Sequence, residues 1–442
     1  MEKWQQISLI LCIFGFLKEF RPSEPFIFEF LTGPWHNATI EQVVQDVFPI
    51  GTYSYMAQLV VVFLITDYFR YKPLIIVAGL AGTLVWSMFV WCGSSLRALQ
   101  VLEVFYGTYM AAEIAYWTYI YAKVDRKHYQ KVTSHIRSAT QAGRFLAATT
   151  SQTVIYYGVT DYLGLNYIAL GAQLATTVWA FMLPPVPESM YFHRQEPVTD
   201  EESDLSPTPK NTANSTCSRA SSLLWYHFKS AYTSFTVIRF SLWYSLAVCL
   251  YYQITSYVQA LWGSIGGRNA TLWNGAVEAI LTLMGSLVAL LAGFVPPSWL
   301  QVNTTLLGLA AIAMLEGLGL LVATVTSSLV VSYVGYTVFG ILHAFAITLV
   351  SSEIAKHISD DSFALIFGVN TMVGLVLQTL LTVAVVDSDG WFALDIRGQF
   401  TVYGYGFLGV GVLFTVFLLV ELFREKCYRG PSLFQGNKDN IG

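Results

Sequence analysis

The stretch Asp200–Lys210, which reads DEESDLSPTPK, lies in the one long hydrophilic segment of a chain of 442 residues. That segment runs from about Phe192 to Ser221 and is rich in Ser, Thr, Pro and acidic residues, so it can bury almost no apolar surface. On both sides of it the sequence is strongly apolar. Hydrophobic residues make up 55% of the chain and charged residues 12%, against about 25% charged in an ordinary soluble protein. A water-soluble surface cannot be built from this composition.

Apolar stretches of about 20 residues, each long enough to cross a hydrocarbon core as a helix, recur on both sides of this segment. We predict twelve spans, at residues 7–31, 47–66, 73–93, 98–122, 137–159, 164–184, 234–262, 271–295, 302–325, 328–354, 363–387 and 398–422. This pattern is typical of an all-α membrane protein of the major facilitator superfamily, in which two six-helix halves enclose a central site. We expect an N-terminal half at 1–191, a cytoplasmic linker at 192–233, a C-terminal half at 234–422 and a cytoplasmic tail at 423–442.

Basic residues are concentrated in the loops on one side of the predicted spans. Because positively charged loops stay in the cytoplasm, their distribution places both termini and the linker inside the cell. Asn37 and Asn269, each in an Asn-x-Thr triplet, then fall in outside loops and are predicted glycosylation sites. The net charge of -4 argues against nucleic acid as a partner, which leaves the lipid bilayer and a small molecule.

Charged residues inside predicted spans are candidate functional residues, since an ionisable side chain that faces lipid costs several kcal/mol. Span one carries Arg21 and Glu24 beside Pro22 and Pro25, and each proline removes a backbone donor and disturbs the helix. A broken spanning helix is tolerated where it lines a cavity. The alternative is that Arg21 and Glu24 pair with each other near a helix end.

Span four contains Glu103 and Glu113, which are ten residues apart, or close to three helical turns, so both can face the same side at different depths. Glu113 lies near the middle of the span beside Tyr116 and Trp117. A buried carboxylate flanked by aromatic rings suits an organic cation, because the rings add cation–π attraction of about 0.5–2 kcal/mol. The alternatives for Glu113 are a pair with Arg144 of span five and a proton-relay role.

Span eight begins with Asn274 and Glu278 on one helix face, where an amide can donate and accept hydrogen bonds in a polar cavity. The seven His residues have no companion nucleophile, the five Cys residues have no metal-ligand spacing, and there is no phosphate-binding glycine loop. We therefore expect neither an enzyme nor an ATP-driven pump, and no cofactor or metal. A secondary carrier is the simplest remaining class.

Both halves contain distinctive short motifs, namely RPSEPF at 21–26, FP at 48–49 with TYSY at 52–55, TDYFRYKP at 66–73, AEIAY at 112–116, HYQKV at 128–132, NGAVE at 274–278 and FGVNT at 367–371. As a set they resemble the motifs of the reduced folate and thiamine carriers, solute carrier family 19. The resemblance implies vitamin uptake across the plasma membrane by alternating access between the two halves.

Within that family the resemblance is greatest to the thiamine branch. The folate branch, which binds a dianion, carries Arg at the position of Glu113, Arg at that of Gly340 and Lys at that of Gly398, and all three cations are missing here. Thiamine is a cation, and the thiamine branch carries Glu at the position of Glu113. A reduced folate or another anionic vitamin remains the alternative substrate.

The same likeness implies roles for individual residues. Glu113 would contact the aminopyrimidine ring of thiamine or balance its charge, Tyr116 and Phe48 would stack on it, and Glu24 and Asn274 would complete the polar recognition. Glu103 joins this predicted set as the second carboxylate of span four.

Two residues depart from the thiamine-carrier pattern. Gly51 stands where vertebrate thiamine carriers have Trp, so one aromatic wall is missing. Arg144 adds a cation that we expect to face the cavity, which would favour thiamine phosphates or an anionic vitamin unless Glu113 or Glu24 neutralises it. A non-transporting membrane receptor or scaffold with the same fold is the alternative from another functional class.

Overall fold

Every regular element in the described part of this computed structural model is a helix. The structure describes residues 2–66, 68–124, 128–186, 222, 225–267, 272–292, 301–358, 363–387 and 390–428. Most of the predicted linker, the predicted glycosylation site Asn269 and the tail beyond residue 428 lie outside these ranges. Residues 225–231, at the end of the predicted linker, are helical. Asn37 is exposed, as a glycosylation acceptor must be, and its modification stays a prediction.

The first helix group, α1–α8, precedes the predicted linker. Its helices are α1 (Lys3–Glu19), α2 (Ile27–Thr32), α3 (Phe48–Thr66), α4 (Lys72–Trp91), α5 (Leu96–Ala111), α6 (Glu113–Lys123), α7 (Tyr129–Tyr156) and α8 (Tyr162–Met182). A 3₁₀ turn (Glu24–Phe26) precedes α2, and a π-helical turn (Gln42–Val47) precedes α3. The side chains of Ser95 and Asp161 cap α5 and α8 by accepting hydrogen bonds from backbone N–H groups of the first turn.

The second helix group, α9–α14, follows the predicted linker. Its helices are α9 (Phe235–Gly266), α10 (Asn274–Ala292), α11 (Val302–Val325), α12 (Leu329–Lys356), α13 (Phe363–Val385) and α14 (Ile396–Tyr428). The last of these runs several residues past the end predicted for span twelve, since the sequence stays helix-forming beyond its apolar part. The two groups pack against each other chiefly through α7 with α10 and α3 with α13.

The predicted break in span one is confirmed. Helix α1 ends at Glu19, before Pro22 and Pro25, and the chain resumes as the 3₁₀ turn and α2. The break leaves the Lys18 carbonyl without a helical partner. This oxygen accepts hydrogen bonds from the Tyr109 hydroxyl at 3.0 Å and the Gln173 amide at 3.2 Å. Side chains of neighbouring helices therefore satisfy the backbone that the prolines release.

Six helices in the described ranges are long and apolar enough to cross a membrane by length and composition, namely α4, α9, α11, α12, α13 and α14. The count of twelve spans therefore stays a prediction. The remaining long helices are shorter or more polar. Helix α7 carries Arg137, Gln141 and Arg144, and predicted span four is divided at Ala112 into α5 and α6. A helix that lines a polar cavity gives up apolar residues on that face, which lowers its mean hydropathy.

Large apolar side chains cover the outside of the helix bundle. On α11, Leu315 and Leu318 are exposed, and on α14, Val412 and Leu419 are exposed, each by more than half of its surface. Soluble monomers rarely expose continuous apolar surface of this kind. This exposed apolar surface is the part of the bundle that a lipid bilayer covers, in agreement with the apolar composition of the chain.

Candidate substrate cavity

A cavity of about 580 Å³ lies between the two helix groups, which is within the range of small-molecule sites. Helices α3, α5 and α7 line it from the first group, and α9, α10 and α12 line it from the second. Its charged lining residues are Glu19, Glu24, Glu103, Glu278, Arg21, Arg137 and Arg144. The break between α1 and α2 forms part of the wall, as predicted for a broken spanning helix.

Glu19 is the centre of an ion-pair cluster at this wall. Its Oε2 atom accepts hydrogen bonds from Arg144 at 2.6 Å and Arg21 at 2.8 Å, and its Oε1 atom lies 3.2 Å from the Lys18 Nζ atom. Arg144 reaches Glu19 because α1 and α7 pack closely. Gly143 faces the Phe16 carbonyl oxygen, and a methyl group in its place would lie 2.5 Å from that oxygen.

The cluster extends to two further carboxylates and is balanced in charge. Lys18 Nζ lies 3.0 Å from Glu113 Oε2, and Arg21 donates to Glu24 Oε1 at 2.5 Å. Three cations thus face three carboxylates, since Arg144 and Glu19 complete the set. Lys18 and Glu19 are almost completely buried, and such charges are tolerated inside a protein when they are paired in this way.

Glu103 lies outside the cluster and has no partner in the part of the chain that the structure describes. Its residue is 8% exposed and lines the cavity, yet no hydrogen-bond donor or cation among the described residues contacts its carboxylate. Gly51 makes room for it, because a methyl group at Gly51 would collide with the Glu103 carboxylate. An unpaired carboxylate in an enclosed site carries a desolvation cost that a cationic ligand would remove.

Four of the predicted site residues line the cavity, namely Glu24, Phe48, Glu103 and Arg144. The predicted pair of Arg21 with Glu24 exists, and both residues line the cavity at the same time. Phe48 packs edge-to-face on Tyr257, with 5.9 Å between the ring centroids. The Arg144 side chain is 50% exposed, so its guanidinium faces the cavity while it also bonds Glu19.

Glu113 and Tyr116 lie outside the cavity wall, in contrast to these four residues. Both Glu113 oxygens are engaged, one by Lys18 and the other by the Trp117 indole at 2.9 Å. The alternative that Glu113 pairs with Arg144 is wrong, because Arg144 bonds Glu19 instead. Tyr116 is 1% exposed and donates to the Leu11 carbonyl at 2.8 Å. Neither residue lines the cavity in this conformation, so span four does not present Glu103 and Glu113 to it together.

Asn274 is fully buried between the two helix groups rather than in the cavity wall. Its amide nitrogen donates to Glu29 of α2 at 3.2 Å, and its oxygen accepts from the Tyr333 hydroxyl at 2.8 Å. Asn274 therefore links the first helix group to the second. Glu278, one turn further along α10, does line the cavity and accepts a hydrogen bond from Tyr336 at 3.0 Å.

Several cavity residues were not predicted. On α7, Arg137 and Gln141 lie seven and three residues before the predicted Arg144, which places all three on one helix face. This polar stripe on a predicted span was a readable signal. Tyr251, Tyr252 and Gln259 on α9 gave no such signal, because tyrosines are too frequent in this chain to single out.

The sequence matches the family described as "Reduced folate carrier" over residues 2–402. Folate transporter 1 of Caenorhabditis elegans is 36% identical over 430 residues, which cover 96% of this chain and 94% of that protein. Thiamine transporter 1 of Homo sapiens is 34% identical over 447 residues, which cover 93% of this chain and 89% of that protein. The predicted family resemblance is thereby confirmed, and both vitamins occur among the names of the relatives.

Solved transporter structures have the same fold. The POT family transporter PepTSo superposes with a TM-score of 0.65 at 12% identity, over 96% of this chain and 100% of that one. The nucleoside transporter NupG, as its D323A mutant, superposes with a TM-score of 0.61 at 13% identity, over 93% and 99%. At these identities the likeness concerns the fold alone, and it confirms the predicted major facilitator architecture.

Proposed function

The chain belongs to the reduced folate carrier family and is therefore a membrane transporter of the folate and thiamine carrier kind, not an enzyme, and we propose that the vitamin it carries is thiamine. The proposal depends above all on the unpaired carboxylate of Glu103 in the cavity wall. Thiamine carries one permanent positive charge, and a buried carboxylate without a partner is the group that such a charge would satisfy.

The charge balance of the cavity supports a cation. The cluster around Glu19 is neutral, which removes Glu19, Glu24, Arg21 and Arg144 from the count. Glu103, Glu278 and Arg137 remain among the charged lining residues, and their formal charges sum to one negative charge when both carboxyl groups are ionised. A monovalent cation neutralises that excess, whereas a dianion would increase the imbalance.

Aromatic side chains support an organic cation in particular. Phe48 and Tyr106 line the cavity together with Glu103, and Tyr251 and Tyr252 line it from the second helix group. Aromatic faces attract a cation with about 0.5–2 kcal/mol each, and they also stack on flat heterocycles such as the two rings of thiamine. We therefore expect Tyr106, Tyr251 and Tyr252 to stack on thiamine, the role that the family resemblance implied for Tyr116. Phe48 keeps its predicted stacking role.

Replacing Gly51 with Ala should displace the Glu103 carboxylate and weaken thiamine uptake. A charged hydrogen-bond partner contributes about 1.5–3 kcal/mol, and the displaced carboxylate would lose much of that contact, so we expect the half-saturating thiamine concentration to rise roughly tenfold. Radiolabelled uptake in cells that express the variant measures this. Gly308→Ala is the matched control, since a methyl group at Gly308 meets open space. Equal uptake by the two variants would show that the position of Glu103 does not matter.

A reduced folate is the second candidate substrate. Arg144 is half exposed in the cavity and Arg137 also lines it, so an anion would find guanidinium groups there. Folate transporter 1 of Caenorhabditis elegans is moreover 36% identical to this chain. An anionic vitamin would have to draw Arg144 away from Glu19, which would leave that buried carboxylate with fewer partners.

Uptake of labelled thiamine and a labelled reduced folate, measured side by side in cells that express this chain, separates the two substrates. We expect saturable thiamine uptake above the level of vector-transfected cells, with competition by excess thiamine and none by excess folate. The opposite pattern of competition would make the protein a folate carrier. No saturable uptake of either vitamin, with the protein present at the cell surface, would favour the receptor or scaffold function.

We further propose a plasma-membrane location with both termini in the cytoplasm, as the basic loops predict. On that orientation the contacts between α7 and α10, and the hydrogen bond from Tyr53 to Asp387 at 2.7 Å, close the extracellular end. The cavity residues of α7 and α12 extend from there towards the cytoplasmic ends of both helices. This arrangement supports an inward-facing conformation in an alternating-access cycle.

A further inference from the structure

An isolated ionisable pair lies inside the second helix group, away from the charged cluster. Glu316 on α11 and His343 on α12 approach to 3.5 Å between Oε1 and Nδ1, which is longer than a good hydrogen bond. Glu316 is completely buried, and neither of its oxygens has a hydrogen-bond partner among the described residues. The Nδ1 atom of His343 has none either. Neither residue lines the cavity, and the proposed function uses neither of them.

The pair is neutral only when it holds one proton. That proton can reside on the carboxyl group beside a neutral imidazole, or on the imidazole beside a carboxylate. Loss of the proton leaves one uncompensated negative charge in the interior, whereas a second proton leaves one uncompensated positive charge. Both states carry the desolvation cost of an unpaired buried charge. His343 retains 7% side-chain exposure while Glu316 has none, so the histidine is the member that a proton reaches first.

One aromatic ring separates the pair from the cavity. The His343 ring stacks on Tyr251 with 4.3 Å between centroids and 11° between the planes, and Tyr251 lines the cavity. Phe339, Phe407 and Trp243 complete the surroundings of the imidazole. In such an apolar environment the charge of the pair and the charge of a cavity ligand interact with little screening.

The other titratable groups on the helices packed around the pair do not replace it as proton carriers. They include Cys249 and Tyr251 on α9, Glu278 on α10, Tyr336 on α12 and Tyr403 on α14, with Arg144 of α7 across the cavity. The fully charged residues of these helices include two ion pairs, Arg239 with Glu421 and Lys356 with Glu353. Cysteine and tyrosine side chains are ordinarily uncharged near neutral pH. Glu278 accepts a hydrogen bond from Tyr336, Arg144 bonds Glu19, and Gln253 donates to Tyr403 at 3.1 Å.

We propose that Glu316 and His343 form a proton-exchange site that is linked to the occupancy of the cavity. The proposal rests on the proposed function, because the charge of the ligand sets the direction of proton movement. A cation beside Tyr251 stabilises the deprotonated pair, so the proton leaves through His343 and the Glu316 carboxylate remains beside a neutral imidazole. Departure of the cation returns the proton, and the exchange of one cation for one proton leaves the total charge unchanged. Linkage makes the effect reciprocal, so alkaline pH strengthens cation binding.

The purified full-length protein in lipid nanodiscs and weak buffer provides the test. Thiamine is titrated while calorimetry records binding and a pH indicator records proton release. We expect about one proton released per bound thiamine in the wild-type protein. Glu316→Gln and, independently, His343→Gln should release no measurable proton. Because linkage is reciprocal, each should also bind thiamine roughly tenfold more weakly near neutral pH, with an affinity that no longer rises at alkaline pH. Glu353→Gln is the matched control, a buried α12 carboxylate that pairs with Lys356, and it should release the proton as the wild type does.

Two results would overturn the proton-exchange site. One is thiamine binding by the wild type without proton release, and the other is undiminished release by both variants. Failure of the wild type to bind thiamine would contradict the proposed substrate instead. The same titration with a reduced folate then tests the proton-exchange site. An anion should draw a proton onto the Glu316–His343 pair, and the two variants should abolish this proton binding. Folate binding without proton movement would overturn it.

Discussion

Replacing Glu103 with Gln is expected to raise the half-saturating concentration of thiamine about 10- to 100-fold while the amount of carrier at the cell surface stays the same. A charged hydrogen-bond partner in an enclosed site contributes about 1.5–3 kcal/mol, and 1.4 kcal/mol corresponds to a factor of ten. Glu103 has no partner to lose among the described residues, so the amide leaves no neighbouring charge uncompensated. Concentration-dependent uptake of labelled thiamine measures the effect.

The same variant should be at least as thermally stable as the wild type. A buried carboxylate without a partner costs free energy of folding, and the neutral amide relieves that cost. Glu353→Gln serves as the control for uptake, because Glu353 is also buried but lies outside the cavity, and it should leave thiamine uptake unchanged. Normal thiamine uptake by Glu103→Gln would exclude this carboxylate from substrate recognition.

Replacing Glu113 with Gln should reduce thiamine uptake to below about a tenth, for a different reason. Lys18 is almost completely buried and would keep Glu19 as its single carboxylate partner, although Glu19 already bonds Arg21 and Arg144. Removing one member of a buried ion pair costs about 3–5 kcal/mol, which is a large part of the stability of a folded protein. We therefore expect less folded carrier at the cell surface, measured by surface labelling alongside uptake.

The double variant Lys18→Met with Glu113→Gln separates a role in pairing from contact with the substrate. It removes one positive and one negative charge together, so the cluster stays balanced and we expect surface expression and at least half of the thiamine uptake to return. A double variant that reaches the surface but transports no thiamine would show that Glu113 contacts the substrate, as the family resemblance implies. Lys18→Met alone should resemble Glu113→Gln, since it leaves Glu113 without its cation.

The architecture was predictable because it depends on local features of the sequence. Prolines 22 and 25 forecast the break after α1, and the structure places the charged residues around that break in the cavity wall. Glu24, Phe48, Glu103 and Arg144 were likewise assigned to the cavity from their residue types and their motifs. For the three charged residues, a polar group in an apolar stretch has few other places to go, whereas Phe48 was assigned through the family resemblance alone.

Pairing between distant segments was not predictable from the sequence. Whether Glu113 meets Lys18 or Arg144 depends on how closely α1, α6 and α7 approach, and Gly143 sets part of that distance by packing against the α1 backbone. The ten-residue spacing within span four suggested that Glu103 and Glu113 share one face, but the helix is interrupted at Ala112. That Glu103 lacks a partner becomes visible only when its neighbours are all placed.

A cryo-electron microscopy structure of the carrier with bound thiamine tests the central claim most directly. We expect the thiazolium ring within about 4 Å of the Glu103 carboxylate and within about 6 Å of an aromatic ring of the cavity, with the Lys18–Glu113 pair intact. A structure in which thiamine lies elsewhere and Glu103 has found a protein partner, or in which Glu113 has left Lys18 to bind the vitamin, would contradict this account of how the cavity selects its substrate.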